Sequence, residues 1–301
     1  MRGDVFDAKD ADPVALLIGE CRAMSARVSA DVVETYAEHG VVFEPGLLNA
    51  EDLREAERIF SWSLEHPSHN SLELGTDVGP GIFFEDIDNL AAREVYLPFL
   101  ERSGLGEFLS ALWGGSPVWY LYEQIFLKQG GAVRRTPWHQ DISYMPVSGA
   151  HLAVAWFSLD PLPESLEVVR GSHRGTIYGQ PSFAPGEDAE LPLDESISPT
   201  MPRPPVPDIE ADRTSWDIAS WPAQPGDVLF FHPAALHGGA PVVKGQRRRT
   251  LALRFFGEDA IYIGGPTGDG LQSGVSGSFD LVGRDLSFDR PLRHEHFPRL
   301  A

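Results

Sequence analysis

The chain has 301 residues, with 24 Lys and Arg against 44 Asp and Glu and a formal net charge of −20. So acidic a chain is a poor partner for nucleic acid or anionic lipid, since both need a basic face. Hydrophobic content of 42% allows a packed core, and no apolar run reaches the length of a membrane span or a signal peptide.

Cys21 is the only cysteine, which excludes an intramolecular disulfide and leads us to expect a reducing cytoplasm. Length alone suggests about two domains, but all-β barrels and sandwiches reach this size as one. A single domain over residues 1–301 is therefore expected, with a helical part over about 1–115, a β core over about 116–260 and a tail over 261–301.

In chain order, Pro13 to Ala26 is mildly helical. Ser29 is placed to cap a helix from Ala30 to His39, closed by Gly40, and Val41-Val42-Phe43 reads as a short strand. Asn49 caps a further helix carrying Leu53, Ala56, Ile59 and Phe60 at helical spacing. Gly75 to Asn89 is rich in Gly, Asp and aromatic residues and reads as a loop or irregular edge strand, and Leu97 to Trp113 as one helix. Then the character changes. Val118 to Lys128, His151 to Leu159, Ser165 to Val169, Asp227 to Phe231 and Arg249 to Gly257 are strand-like and separated by turn residues. Short strands without alternating helices predict an antiparallel sandwich or barrel. Gln180 to Pro225 is a long, Pro-rich, acidic insertion, either a tolerated surface excursion or a lid over a substrate entrance.

The chemistry centres on Trp138-His139-Gln140-Asp141. At a strand end, His139 and Asp141 share a face, because side chains alternate with period two. An imidazole beside a carboxylate is two thirds of the 2-His-1-carboxylate triad that binds Fe(II) on one face and leaves the opposite positions open. The third ligand must come from downstream, where Gly226-Asp227 leads to His232 and on to His237-Gly238-Gly239. Arg247-Arg248-Arg249 follows, at the start of an apolar strand.

Together with Ser165-Leu166-Glu167-Val168-Val169 and Gly171-Ser172-His173, these segments resemble the phytanoyl-CoA dioxygenase family from about Ala30 to Ala260. The resemblance implies a mainly β fold with flanking helices, a double-stranded β-helix (a cupin-like jelly roll). It also implies an oxygenase that uses Fe(II) and 2-oxoglutarate, with ascorbate as a supporting reductant. Such an enzyme consumes O2, releases succinate and CO2, and hydroxylates a small-molecule substrate. Desaturation, epimerisation or cyclisation at the same iron is the alternative outcome. Two departures from the family pattern, Pro163-Glu164-Ser165 for Asp-Asn-Gly and Arg170 for Pro, fall in a turn.

The expected metal ligands are His139, Asp141 and His237. His232, followed by Pro233 and close to the Phe230-Phe231 strand, is the rival, and the resemblance makes His173 either structural or a support to the ligands. The far carboxylate of 2-oxoglutarate calls for a guanidinium. Arg248, Thr250, Ala252 and Arg254 share one face of their strand, and the small residues between the arginines leave room for a cosubstrate. Arg248 is chosen as the anchor, with Arg254 as the fallback; Arg247 and Arg249 point away. By position in the family pattern, Gln124, Lys128 and Trp156 are expected to line the cosubstrate.

A carboxylate at Asp141 argues for hydroxylation rather than halogenation, since related halogenases carry Gly or Ala there. The acidic chain, whose Arg clusters are Arg134-Arg135 and Arg247 to Arg249, favours a small molecule over an acyl-CoA. Two readings of other classes compete: a non-catalytic cupin-like binding module and a zinc hydrolase.

Overall fold

The computed structural model describes residues 28–74, 81–129, 136–179, 203–239, 246–264 and 277–301. Pro13 to Ala26, Cys21, Arg134-Arg135 and residues 180–202 lie outside the described residues.

Helix α1 spans Ala30–His39, with the Ser29 hydroxyl accepting from the Val32 N–H. It stops at Gly40, whose φ of 70° lets its N–H return to the Tyr36 carbonyl. The imidazole of His173 also packs so closely here that a Cβ on Gly40 would fall 2.3 Å from Nδ1. After strand β1 (Val41–Glu44) comes helix α2 (Ala50–Glu65), opened by a capping box between Asn49 and Asp52.

The single helix expected over Leu97 to Trp113 is two, α3 (Arg93–Arg102) and α4 (Leu105–Leu112). Gly104 between them has a φ of 70°, which breaks the helical path while the apolar spacing continues across it. Part of the stretch read as a loop or edge is also regular. Ile82–Ile87 forms strand β3, paired on one side with β2 (Leu72–Leu74) and on the other with β4 (Trp119–Gln129).

The remaining strands are β5 (Val147–Ser148), β6 (Leu152–Ser158), β7 (Glu167–Val169), β8 (Ile218–Ala219), β9 (Val228–Phe231), β10 (His237–Gly238), β11 (Arg247–Phe256), β12 (Ile261–Tyr262) and β13 (Arg290–Pro291). The main sheet has seven strands in the order β1-β9-β6-β11-β4-β3-β2, every pairing antiparallel. A three-stranded sheet, β10-β7-β8, and a second, β13-β12-β5, complete the described strands. A short helix α5 (Ser278–Val282) lies in the C-terminal part.

Both faces of the main sheet are covered, so every residue of β6 is buried. On one face Ala155, Phe157, Phe230, Leu251 and Leu253 pack against Tyr36, Ile59, Tyr96, Phe99 and Phe108 of α1 to α4. Phe108 stacks on Phe230 with ring centroids 4.6 Å apart. Burying each such phenylalanine contributes about 1.5–3 kcal/mol. On the other face Val154, Trp156, Leu229, Phe231 and Ala252 meet Leu162, Leu166 and Val168 beside the small sheet. This is the sandwich expected of a jelly roll. Ala252 of β11 lies on this face, and Arg248, Thr250 and Arg254 share it by strand alternation. Among the described residues no helix is long and apolar enough to cross a membrane.

Candidate active site

His139 does not sit in a named strand; it forms an isolated antiparallel bridge with His237. Each backbone N–H donates to the other's carbonyl at 2.9 Å. Directly paired residues project to the same side, and the two rings lie 4.1 Å apart between centroids. The expected strand end is therefore a single bridge followed by a 3-10 turn, Asp141–Tyr144, and that turn swings Asp141 back towards the histidines. Gln140, missed in the sequence, locks the motif in place. Its amide donates to the carbonyls of Ala234 and Thr176 and accepts from the Tyr178 N–H.

The three side chains converge. Oδ1 of Asp141 lies 3.3 Å from Nε2 of His139 and 3.5 Å from Nε2 of His237. Ligand atoms of these three residues all fall within 4.8 Å of one another. The tautomers follow from their partners. His139 Nδ1 is 2.9 Å from the Pro137 carbonyl and His237 Nδ1 is 2.9 Å from the Ala235 carbonyl. A carbonyl only accepts, so both Nδ1 atoms donate, and a ring in that tautomer turns its Nε2 lone pair inward. Burial favours the neutral state at His237, and His139 beside it lowers the basicity of the ring further. Burial alone would raise Asp141, but the Arg254 guanidinium beside it outweighs that and holds the carboxyl well below its usual range. A carboxylate oxygen and two lone pairs meeting in a dry site form a donor set that fits a divalent cation.

His232 is not part of this group. Its Nδ1 accepts from the Ala234 N–H, its Nε2 faces the Gly149 carbonyl at 3.3 Å, and burial pushes it down to about 4. His173 packs beside it, 5.5 Å between ring centroids, and behaves as a structural residue.

Arg248, 6% exposed, lies on the inner face with its guanidinium 5.3 Å from the Trp156 ring. Lys128 stands directly opposite it in the β4–β11 register, with Nζ 3.2 Å from Thr136 Oγ1. Burial lowers Arg248 to about 10 and, with Arg248 nearby, Lys128 to about 8, so both are cations at neutral pH. Two buried cations beside an aromatic wall offer the kind of donors that a carboxylate needs.

Arg247 and Arg249 point away, as expected, and are engaged: both donate to Asp160, and Arg249 also makes a two-pronged contact with Glu57. The fallback anchor, Arg254, is committed elsewhere. Its Nε and Nη2 donate to Asp141 Oδ2 at 3.2 and 2.8 Å. Gln124 lies on the same face, but both ends of its amide are occupied, by Arg254 and by Glu85.

The described part of the insertion, residues 203–225, is more than a surface excursion. Trp138 donates to Glu210 at 2.6 Å, Arg213 pairs with Glu167, and Val206, Ile209 and Trp216 pack on Trp138. Within it, Ile218–Ala219 is strand β8 of the small sheet.

The family model described as phytanoyl-CoA dioxygenase (PhyH) matches residues 82–250. Among curated proteins, the peroxisomal phytanoyl-CoA dioxygenase of Mus musculus is 25% identical over 140 residues, which is 44% of this chain and 37% of that protein. A probable phytanoyl-CoA dioxygenase of Caenorhabditis elegans is 28% identical over 126 residues, 40% of this chain and 36% of that protein. The matched region thus spans little more than a third of these relatives' length.

Among solved structures, the α-ketoglutarate-dependent carbocyclase SnoK from nogalamycin biosynthesis superposes with a TM-score of 0.64 at 19% identity, covering 92% of this chain and 98% of its own. The epimerase SnoN from the same biosynthesis gives 0.60 at 19%, covering 94% and 99%. EctD from S. alaskensis gives 0.57 at 16%, covering 77% and 78%. At these identities the likeness speaks for the jelly-roll fold. The sequence match rests on firmer ground, for it takes in more than half of the residues, His139, Asp141, His237 and Arg248 among them: the chain belongs to the phytanoyl-CoA dioxygenase family of Fe(II)- and 2-oxoglutarate-dependent oxygenases.

Proposed function

We propose that this chain works as one dioxygenase domain that hydroxylates a small molecule. The observation that carries the reading is the convergence of two inward-facing Nε2 atoms and one carboxylate oxygen. In this account His139, Asp141 and His237 hold Fe(II). When bound, the iron and 2-oxoglutarate supply oxidative chemistry that consumes O2 and yields succinate and CO2. The protein's task is to bind, orient and exclude water. Arg248, with Lys128 beside it, receives the far carboxylate of 2-oxoglutarate, and Trp156 walls that end of the chamber. Buried walls on both sheets keep the site dry, which strengthens each of these charge-assisted contacts.

A small molecule is preferred over an acyl-CoA because Arg247 and Arg249 are tied to Asp160 and Glu57, so they offer no ready seat for coenzyme A phosphates. A single cysteine fits a reducing cytoplasm. A second outcome has its own support: the structures with the TM-scores of 0.64 and 0.60 are a carbocyclase and an epimerase.

The experiment is aerobic turnover with Fe(II), 2-oxoglutarate and candidate substrates, followed by mass spectrometry. Hydroxylation adds one oxygen to the product, epimerisation leaves the mass unchanged, and cyclisation removes a pair of hydrogens. Succinate formation that does not depend on Fe(II) would overturn the reading.

A further inference from the structure

The carboxylate of Asp141 is held from both sides. Oδ1 faces the two histidine Nε2 atoms at 3.3 and 3.5 Å, while Oδ2 accepts from Arg254 Nε at 3.2 Å and Nη2 at 2.8 Å. Arg254 is itself fixed. Its guanidinium lies 4.9 Å from the Tyr122 ring, Nη1 reaches the Ala252 carbonyl at 3.4 Å, and Nη2 also donates to Gln124 Oε1. A guanidinium has donors only, so the amide of Gln124 can be oriented one way: oxygen towards Arg254, nitrogen outward. That nitrogen donates to Glu85 Oε1 at 2.6 Å. Glu85 is half-buried on the inner face of β3, and among the described residues its carboxylate accepts from the Gln124 amide. A continuous chain of donors and acceptors therefore runs Glu85–Gln124–Arg254–Asp141 across three strands and into the metal-binding group.

We propose that Arg254 is a positioning residue that occupies the outer oxygen of Asp141, so that the carboxylate offers a metal one atom only, and that Gln124 and Glu85 keep Arg254 in that pose. The proposal rests on the iron and 2-oxoglutarate reading. A metal held by three protein atoms would keep its other positions for cosubstrate and O2. A carboxylate free to turn would bring in its second oxygen and leave two of the three open positions, so 2-oxoglutarate, whose direction Arg248 fixes, would find one of its two seats contested. Releasing the clamp should therefore weaken 2-oxoglutarate binding and spare the metal. Loss of folding, by contrast, would weaken both.

The test is a pair of anaerobic titrations of the full chain: Fe(II) followed by tryptophan fluorescence, then 2-oxoglutarate into the Fe(II)-loaded protein followed by its visible absorption. In Gln124→Met, Glu85→Met and Arg254→Lys, the apparent Kd for 2-oxoglutarate should rise about tenfold or more, the scale of one lost charge-assisted hydrogen bond. The Kd for Fe(II) should change by less than about threefold. Glu85→Gln retains an oxygen that can accept from the Gln124 amide and should behave like the parent. Arg254→Lys, which keeps the charge and loses the fork, serves if either methionine variant fails to fold.

Parent-like 2-oxoglutarate affinity in Arg254→Lys and Gln124→Met would overturn the clamp. So would a parallel loss of Fe(II) and 2-oxoglutarate binding. Glu85→Met equal to the parent, or Glu85→Gln as weak as Glu85→Met, would remove Glu85 from it. A parent that binds Fe(II) but never 2-oxoglutarate would overturn the proposed function and the clamp with it, whereas a normal parent with unaffected variants overturns the clamp alone.

Discussion

Replacing Arg248 with alanine is the sharpest probe of the inner-face register. Arg248 is 6% exposed, lies against Trp156 and faces Lys128 across the β4–β11 pair. A charge-assisted hydrogen bond is worth about 1.5–3 kcal/mol, and a carboxylate left without its partner in a desolvated pocket costs more. Lys128 stays in place in the variant and recovers part of that loss, so a net cost of about 1.4–3 kcal/mol is expected. At about 1.4 kcal/mol per decade, the apparent affinity for 2-oxoglutarate falls roughly tenfold to a hundredfold. Arg248→Lys should restore little, since an ammonium cannot reproduce a two-pronged contact. Fe(II) binding should survive, because no residue of the histidine–aspartate group is touched. The assay is anaerobic titration of 2-oxoglutarate into Fe(II)-loaded protein. Unchanged affinity in Arg248→Ala would refute the reasoning, and a crippled Arg249→Ala beside it would put the working face one residue out of register.

Further outcomes are expected. Arg249→Ala should leave 2-oxoglutarate affinity intact but destabilise the fold by about 1–2 kcal/mol, because Glu57 loses its partner and Asp160 keeps only Arg247 and the residue-249 backbone N–H; a thermal melt checks this. His232 gives an acid sensitivity. Its folded form resists protonation from the ordinary 6.5 down to about 4, so an unfolded chain takes up the proton first. The stability it contributes is whole above pH 6.5 and is lost as pH falls towards 4, by about 3 kcal/mol at about 1.4 kcal/mol per pH unit. Denaturant melts of His232→Gln should show a correspondingly flatter slope over that window, and an equal slope would refute the assignment. Asp141→Gly should lose hydroxylation and need not gain halogenation; a chlorinated product from the unmodified enzyme, seen by mass spectrometry, would contradict the role given to this carboxylate.

What the sequence disclosed was set by local chemistry. Ser29 and Asn49 are strong caps, and the structure starts its helices at both. The parity of β11 was read from small Thr250 and Ala252 beside Arg248, and the structure puts Ala252 on the face opposite Leu251 and Leu253. His237 could be preferred to His232 from its glycine neighbours, and the structure brings His237, not His232, to His139.

The failures were non-local. Gly104 splits a helix whose apolar spacing never falters. Ile82–Ile87 is a regular strand because β2 and β4 flank it, which no window around Gly79-Pro80-Gly81 reports. The pairing of Arg254 with Asp141 joins residues 113 apart, and the orientation of Gln124 depends on that pairing. The sequence therefore offered Arg254 as a spare anchor for the cosubstrate. Likewise, Pro-rich composition around residues 203–225 hid a segment whose Glu210 holds the Trp138 indole beside the site.

The central claim is that His139, Asp141 and His237 form an iron site that receives 2-oxoglutarate. It is tested most directly by adding Fe(II) and 2-oxoglutarate anaerobically and recording the weak visible charge-transfer band of the chelate. The parent and His232→Ala should show the band, and His139→Ala and His237→Ala should not. No band in the parent, or a band that survives in His237→Ala and vanishes in His232→Ala, would contradict the account.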